Sequence, residues 1–196
     1  MPLRDSLNAT FDEAAQSFER FRADPVALAA VETFADHCLR VVVGGGTLYA
    51  CGNGGSMAQA MHFTEEWTGR FRNPRQAIPA ISFSDPTQLT CIANDFGFEE
   101  VFARQIEACV ETRDLLLLLS TSGESPNMIR AAEAGRAKSV PTVALLGRGG
   151  GKLASKVDLP IIVPEAETSD RIQEVHLHVL HAVIEAVERE VFPGDY

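Results

Sequence analysis

Cys51-Gly52-Asn53-Gly54-Gly55-Ser56, followed by His62-Phe63-Thr64-Glu65-Glu66, is the stretch whose reading decides the fold. Thr47-Leu48-Tyr49-Ala50 before it is a short β-rich apolar run, and a long stretch without proline follows. The order reads strand, glycine turn, helix. Glycine at 52, 54 and 55 lets backbone N–H groups approach a ligand where a Cβ would block it. The N-terminus of the following helix adds unpaired donors and partial positive charge, which favour an anionic or polyhydroxyl ligand. His62 and Glu66 stand four residues apart and share a helix face. They can grip one metal ion or act together on one substrate. A binding turn and a reactive pair on one unit suggest an enzyme.

Outward from this unit, the pattern repeats. Five β-like runs span Thr47–Cys51, Ala77–Phe83, Asp114–Ser120, Thr142–Leu146 and Leu159–Val163. Helical patterns separate them over Ser56–Phe71, Pro86–Val110 with a break near Gly97, Ser125–Lys138 and Gly151–Ser155, and a long helix closes the chain over Asp170–Val191. Alternation of this kind predicts an α/β fold with a parallel sheet covered on both faces. Ligands in such sheets sit beyond the carboxyl ends of the strands, where the turns after the first and third strands fall. Two apolar-striped helices come first. Leu3, Leu7, Phe11, Ala14, Phe18 and Phe21 mark one, and Leu28, Val31, Phe34, Cys38 and Val42 the other, with Pro25 between them and Gly44-Gly45-Gly46 after. Their large apolar residues suit packing between subunits. Without repeat or linker, residues 1–196 read as one domain, its helical N-terminal extension covering about 1–45.

The chain has 196 residues, 45% hydrophobic and 22% charged, an ordinary globular composition. A net charge of −10 argues against a nucleic-acid surface. Arg70, Arg72 and Arg75 make a local basic spot, read as a solvated loop or a subunit contact. Cys38, Cys51, Cys91 and Cys109 are scattered without a CxxC pair, as in a reducing compartment. The opening MPLRDSLNATFDEAAQ has no apolar signal core, and Leu115–Leu119 is too short to cross a membrane. The expectation is a cytoplasmic protein with no membrane partner.

Three further stretches could carry chemistry. Ser120-Thr121-Ser122-Gly123-Glu124-Ser125-Pro126-Asn127 follows the buried-strand run, with Ser125 placed to cap the next helix and Pro126 at its first position. Its hydroxyls, glycine and helix N-terminus could hold a phosphate without Lys or Arg, or it could be a plain capping loop. Glu124 would repel a phosphate unless it points to solvent. In the C-terminal helix, His176, His178 and His181 cluster behind Gln173. Gln173 and His181 differ by about 80° around the axis and roughly 12 Å along it, so one ion reaches both only if they lean together or come from different subunits. Spacing does not choose among the histidines. His178 could pair with Glu174, and His181 could be oriented by Glu185. Asn94-Asp95-Phe96-Gly97 reads as a polar turn, and Phe63, Trp67 and Phe71 as core or subunit contacts.

Together these residues resemble the phosphoheptose isomerase (sedoheptulose 7-phosphate isomerase) family of sugar isomerase (SIS) domains. The matching pieces are Gly52–Met57, Met61–Glu66, Thr68–Phe71, Asn94–Gly97, Ser120–Gly123 with Ser125, Gly150–Lys152 and Asp170–His176. They cover almost the whole chain in order. The resemblance implies a flavodoxin-like three-layer sandwich with a five-stranded parallel sheet, and a homotetramer. It implies one zinc per subunit on His62, Glu66, Gln173 and His181, with Glu66 and His181 as acid and base. A phosphorylated seven-carbon sugar would contact Asn53, Gly54, Gly55, Ser56, Glu66, Asn94, Asp95 and Gln173, with its phosphate on Ser120, Thr121, Ser122 and Ser125. Glu124 and the stretch Glu165–Ser169 depart from the pattern of many relatives and could alter substrate preference. The alternative reading is a non-catalytic SIS module that binds a sugar phosphate or a replication-initiator partner.

Overall fold

In the computed structural model, residues 2–166 and 168–195 are described. The chain begins with helices α1 (Leu3–Ala23) and α2 (Pro25–Val43). Asp24 separates them and caps α2, its carboxylate accepting from the Val26 and Ala27 N–H groups. Five strands follow: β1 (Leu48–Gly52), β2 (Ala80–Ser82), β3 (Leu115–Ser120), β4 (Thr142–Leu146) and β5 (Leu159–Ile162). Every neighbouring pair is parallel and the spatial order is β2-β1-β3-β4-β5. Between β1 and β2 runs α3 (Gly55–Thr68). Between β2 and β3 run α4 (Pro86–Phe96) and α5 (Ala103–Cys109), joined through a 3₁₀ turn at Phe98–Glu100. Helix α6 (Pro126–Ala137) links β3 to β4, and α7 (Ser169–Val191) follows β5.

Strand residues alternate between two cores, as a pleated sheet requires. Leu48, Ala50, Leu115, Leu117, Leu119, Val143 and Leu145 face α1, α2, α3 and α7. Tyr49, Cys51, Leu116, Leu118, Ala144 and Leu146 face α4, α5 and α6. The result is the expected three-layer α/β sandwich. Leu115–Leu119 are buried, and each such side chain contributes about 1.5–3 kcal/mol of transfer free energy. Phe63 and Trp67 lie at full burial in the first core.

One expected helix is absent. Gly151–Ser155 forms no α-helix, and the β4–β5 crossover holds 3₁₀ turns at Arg148–Gly150 and Leu153–Ser155. Gly149, Gly150 and Gly151 all take positive φ, which an α-helix cannot continue through. Asn94 and Asp95 also differ from expectation: they sit on the last turn of α4 and not in a free turn. That helix ends at Gly97, whose φ of 94° a side chain would resist.

The topology fixes where a ligand belongs. The chain leaves β1 towards β2 on one side, and β3 pairs with β1 on the other. A crevice opens at such a switch point beyond the strand ends. Gly52 and Leu119 are in register there, so the turn after β1 and the turn after β3 emerge side by side.

Candidate active site

The first half of the site is a cavity of about 210 Å³ at this switch point. Asn53 and Ser56 line it from the start of α3, Ser120, Thr121, Ser122 and Ser125 from the β3 turn, and Ser169 and Gln173 from the start of α7. Three helix N-termini therefore converge on one polar space, each offering unpaired N–H groups and partial positive charge. Gly54 adopts φ 55°, and a Cβ on Gly55 would stand 2.8 Å from the Gln173 amide. Asn53 and Asn127 clasp each other: Asn53 Nδ2 donates to Asn127 Oδ1 at 2.9 Å, and Asn127 Nδ2 donates to Asn53 Oδ1 at 2.8 Å. The buried Asn127 thus fixes the direction of the Asn53 amide.

Local bonding leaves much of this hydroxyl set directed at the cavity. Ser125 is the N-cap of α6, yet its side chain makes no capping hydrogen bond, contrary to expectation; Pro126 at the next position needs no N–H partner. Ser120 Oγ accepts from Gly123 N at 3.1 Å, and Ser122 Oγ from Glu124 N at 3.2 Å, so both oxygens keep a proton to donate. Glu124 turns away. Its carboxylate meets Lys152 Nζ at 2.9 Å and the Lys152 N–H at 3.0 Å, and these bonds hold it below the usual carboxylate range. The repulsion expected from Glu124 is removed by that partner.

The second half is a cluster on α3 and α7. His62 Nε2 lies 3.1 Å from His181 Nε2 and 3.4 Å from Glu66 Oε1, and His181 Nε2 lies 3.7 Å from the same oxygen. The three donor atoms lie within 4.8 Å of one another. Two imidazoles and a carboxylate are the donor set that zinc favours. Glu65 Oε1 stands 3.3 Å from His62 Nδ1 and orients the ring so that Nε2 faces the cluster. Glu66 Oε2 is buried with no hydrogen-bond partner among the described residues. Burial pushes the Glu66 carboxyl above the usual carboxylate range, while His62 pulls it back and Glu65 and Glu188 add to the rise. Burial lowers the His181 imidazole, helped by the charges of His62 and His178.

The other two histidines separate cleanly. His176 is buried against the Leu146 carbonyl at 3.1 Å, and His178 packs on Phe18 with ring centroids 4.3 Å apart. Glu174 bonds Arg171, not His178, and Glu185 bonds Arg72 and Arg189, not His181. Gln173 lies two turns before His181 on α7, with its amide at Gly55 and its backbone carbonyl accepting from Gln59 Nε2 at 2.6 Å. Asn94 and Asp95 are exposed on α4, bonded to each other at 2.7 Å, and are not among the residues lining the cavity of one chain.

Arg70 and Arg72 are exposed, as a solvated basic spot requires, but the Arg75 side chain is not. Its side chain is buried, pairs with Glu188 on α7, and donates to the backbone carbonyls of Glu66 at 2.6 Å and Trp67 at 2.7 Å. These are last-turn carbonyls of α3 that lack helical partners. Arg75 therefore ties the helix bearing His62 and Glu66 to the helix bearing His181. Nothing in its local sequence marks this role. Ser169 was also missed as a lining residue, although a hydroxyl opening a long helix is a visible signal.

No helix is long and apolar enough to cross a membrane among the described residues. The family profile described as SIS domain matches residues 11–147. The phosphoheptose isomerase of Fusobacterium nucleatum subsp. nucleatum is 49% identical over 165 residues, 84% of either chain. That of Edwardsiella ictaluri is 44% identical over 188 residues, covering 96% of this chain and 97% of its own. The structure of phosphoheptose isomerase GmhA from Neisseria gonorrhoeae superposes with TM-score 0.87 at 34% identity, covering 95% of this chain and 98% of that one. With identity of this order along nearly the full length of both sequences, and the same sheet beneath it, the chain belongs to the phosphoheptose isomerase family of SIS-domain proteins.

Proposed function

We propose that this chain interconverts sedoheptulose 7-phosphate and D-glycero-D-manno-heptose 7-phosphate, a ketose–aldose isomerisation that feeds bacterial heptose and polysaccharide synthesis. The observation that carries this reading is the division of labour at Glu66. Its Oε1 faces both imidazoles, while its buried Oε2 has no partner among the described residues. One oxygen can serve an ion and the other a proton.

The distance between the two halves suits a substrate with its phosphate and carbonyl at opposite ends. From Ser56 to His62 and Glu66 the helix rises about 9–15 Å, and side chains lean back towards the helix start. With the phosphate on Ser120, Thr121, Ser122 and Ser125, the sugar runs past Asn53, Gly54, Gly55 and Gln173 towards His62, Glu66 and His181. Glu66 removes a proton from C1 and returns it to C2 by way of the enediol. His181 gives a proton to the C2 carbonyl oxygen and takes one from the C1 hydroxyl, so the proton count closes. A zinc ion held by His62, Glu66 and His181, with Gln173 as the fourth ligand, would supply Lewis-acid stabilisation of the oxyanion.

We further propose a homotetramer in the cytoplasm. Helix α4 has no buried residue in one chain, and Leu3, Leu7 and Phe11 lie exposed along α1 at spacings of four. Asn94 and Asp95 on that same α4 would then reach substrate at a subunit boundary. All four cysteines are free, in line with a reducing compartment.

The test is incubation with sedoheptulose 7-phosphate in deuterated water, followed by NMR. The parent should form the aldose with deuterium at the reacting carbon. Glu66→Gln should bind substrate and lose about 10²–10⁴-fold in turnover and exchange. Exchange at the parental rate in that variant would show that Glu66 is not the base.

A further inference from the structure

Ser169 and Arg148 lie outside every role assigned above. Ser169 is the first residue of α7 and lines the hydroxyl cavity. Its Oγ lies 3.2 Å from Thr121 Oγ1, and Arg148 Nη2 donates to it at 3.3 Å. Among the described residues, Arg148 is the cation hydrogen-bonded to a side chain of this cavity.

Hydrogen-bond direction is settled at one end. A guanidinium has no acceptor, so Arg148 donates and Ser169 Oγ accepts. The Ser169 proton is then left for Thr121 Oγ1 or for a ligand in the cavity, and a donated charge-assisted bond makes that hydroxyl a better donor. The loop carrying Arg148 is fixed against the loop carrying the other hydroxyls. A Cβ on Gly123 would run into the Gly150 carbonyl, one on Gly151 would run into the Ser122 carbonyl, and the Leu153 N–H donates to Gly123 O at 3.0 Å. Backbone lies on backbone, so Arg148 and the serine loop form one wall.

We infer that Ser169 is a fifth hydroxyl of the phosphate site and that Arg148, acting through it, supplies the site with positive charge matched to a phosphate monoester dianion. The inference rests on the phosphate lying in this cavity. Ser169 closes the stretch 165–169, and through Ser169 that stretch gains a role in ligand choice. Glu167 of that stretch lies outside the described residues.

Steady-state kinetics with sedoheptulose 7-phosphate, and inhibition by inorganic phosphate, test this. Ser169→Ala should raise KM and the phosphate inhibition constant together by about tenfold or more, the loss of one bond to a charged group, with kcat within about twofold. Arg148→Gln should raise both and flatten their dependence on ionic strength, and Arg148→Lys should restore that dependence. A fold defect alone would leave the salt dependence intact. Ser122→Ala and Ser125→Ala provide the comparison. If they raise KM while Ser169→Ala and Arg148→Gln leave KM, phosphate inhibition and salt dependence at parental values, the inference is wrong and the phosphate site stands. If all four variants keep parental values, the phosphate lies elsewhere and both readings fall.

Discussion

Arg75 Nε and Glu188 Oε1 meet at 2.6 Å with each side chain only 1% exposed, so a full ion pair is enclosed between the end of α3 and the end of α7. Such a pair is costly to break from one side, because the remaining charge keeps its desolvation penalty. Arg75→Met removes the cation facing Glu188 and the donors to the Glu66 and Trp67 carbonyls. The expected loss is about 3–5 kcal/mol, read as a lower urea midpoint at unchanged slope. Arg75→Met combined with Glu188→Leu should recover part of it. A midpoint equal to the parent in the single variant would contradict the burial described.

The His62–Glu66–His181 cluster predicts bound divalent metal. Protein purified without chelator should carry zinc or a similar ion at a substantial fraction of chains, and His62→Ala should lose most of it. Chelation should abolish turnover and added zinc restore it. Full activity in a preparation verified free of metal would remove the metal from the reaction.

His176 predicts an acid limb in stability. The Leu146 carbonyl can only accept, so His176 Nε2 carries the proton and donates, while Nδ1 is buried without a partner among the described residues. Burial lowers the imidazole from 6.5 to about 4, with the Leu146 bond opposing. The unfolded chain therefore binds a proton below 6.5 that the folded chain refuses until about 4, and stability falls as pH drops through that window. The full difference corresponds to about 3 kcal/mol. His176→Gln, which can still donate to Leu146, should flatten this limb in urea titrations between these two pH values. Parallel acid limbs in parent and variant would refute it.

The exposed faces of α1 and α4 predict association. Leu3 is 77% exposed and Phe11 71%, and Phe96 and Phe98 add 54% and 61% at the end of α4 and beyond it. Light scattering at micromolar concentration should give the mass of four chains. Leu7→Glu with Phe11→Glu should shift it towards smaller species, and a parent that is a stable, active monomer would overturn the assembly.

Much of this was legible because its causes are local. Period-two and period-3.6 patterns placed five strands and the main helices, and a spacing of four put His62 and Glu66 on one face. What the residues alone could not give depends on long-range packing. Choosing His181 over His176 and His178 requires the rotation of α7 against α3, and only the family resemblance chose it beforehand. Arg75 looked like a surface loop cation because its partner is 113 residues away. Ser169 stayed hidden because its hydroxyl partner is 48 residues away. The β4–β5 crossover misled because Lys152-Leu153-Ala154-Ser155 suits a helix, while positive φ at Gly149, Gly150 and Gly151 leaves room only for short 3₁₀ turns.

The reciprocal Asn53–Asn127 clasp also bears on chemical ageing. Asn53 precedes Gly54, and an asparagine before glycine is prone to cyclise: the following backbone nitrogen attacks the side-chain carbonyl, ammonia leaves, and hydrolysis yields aspartate or isoaspartate. Here the Asn53 amide is held at both its oxygen and its nitrogen, so swinging the carbonyl carbon towards Gly54 costs both bonds. Deamidation would replace a donor to Asn127 with an oxygen and bring a negative charge to the lining of a cavity built for anions. The clasp that orients the turn thereby also slows its decay.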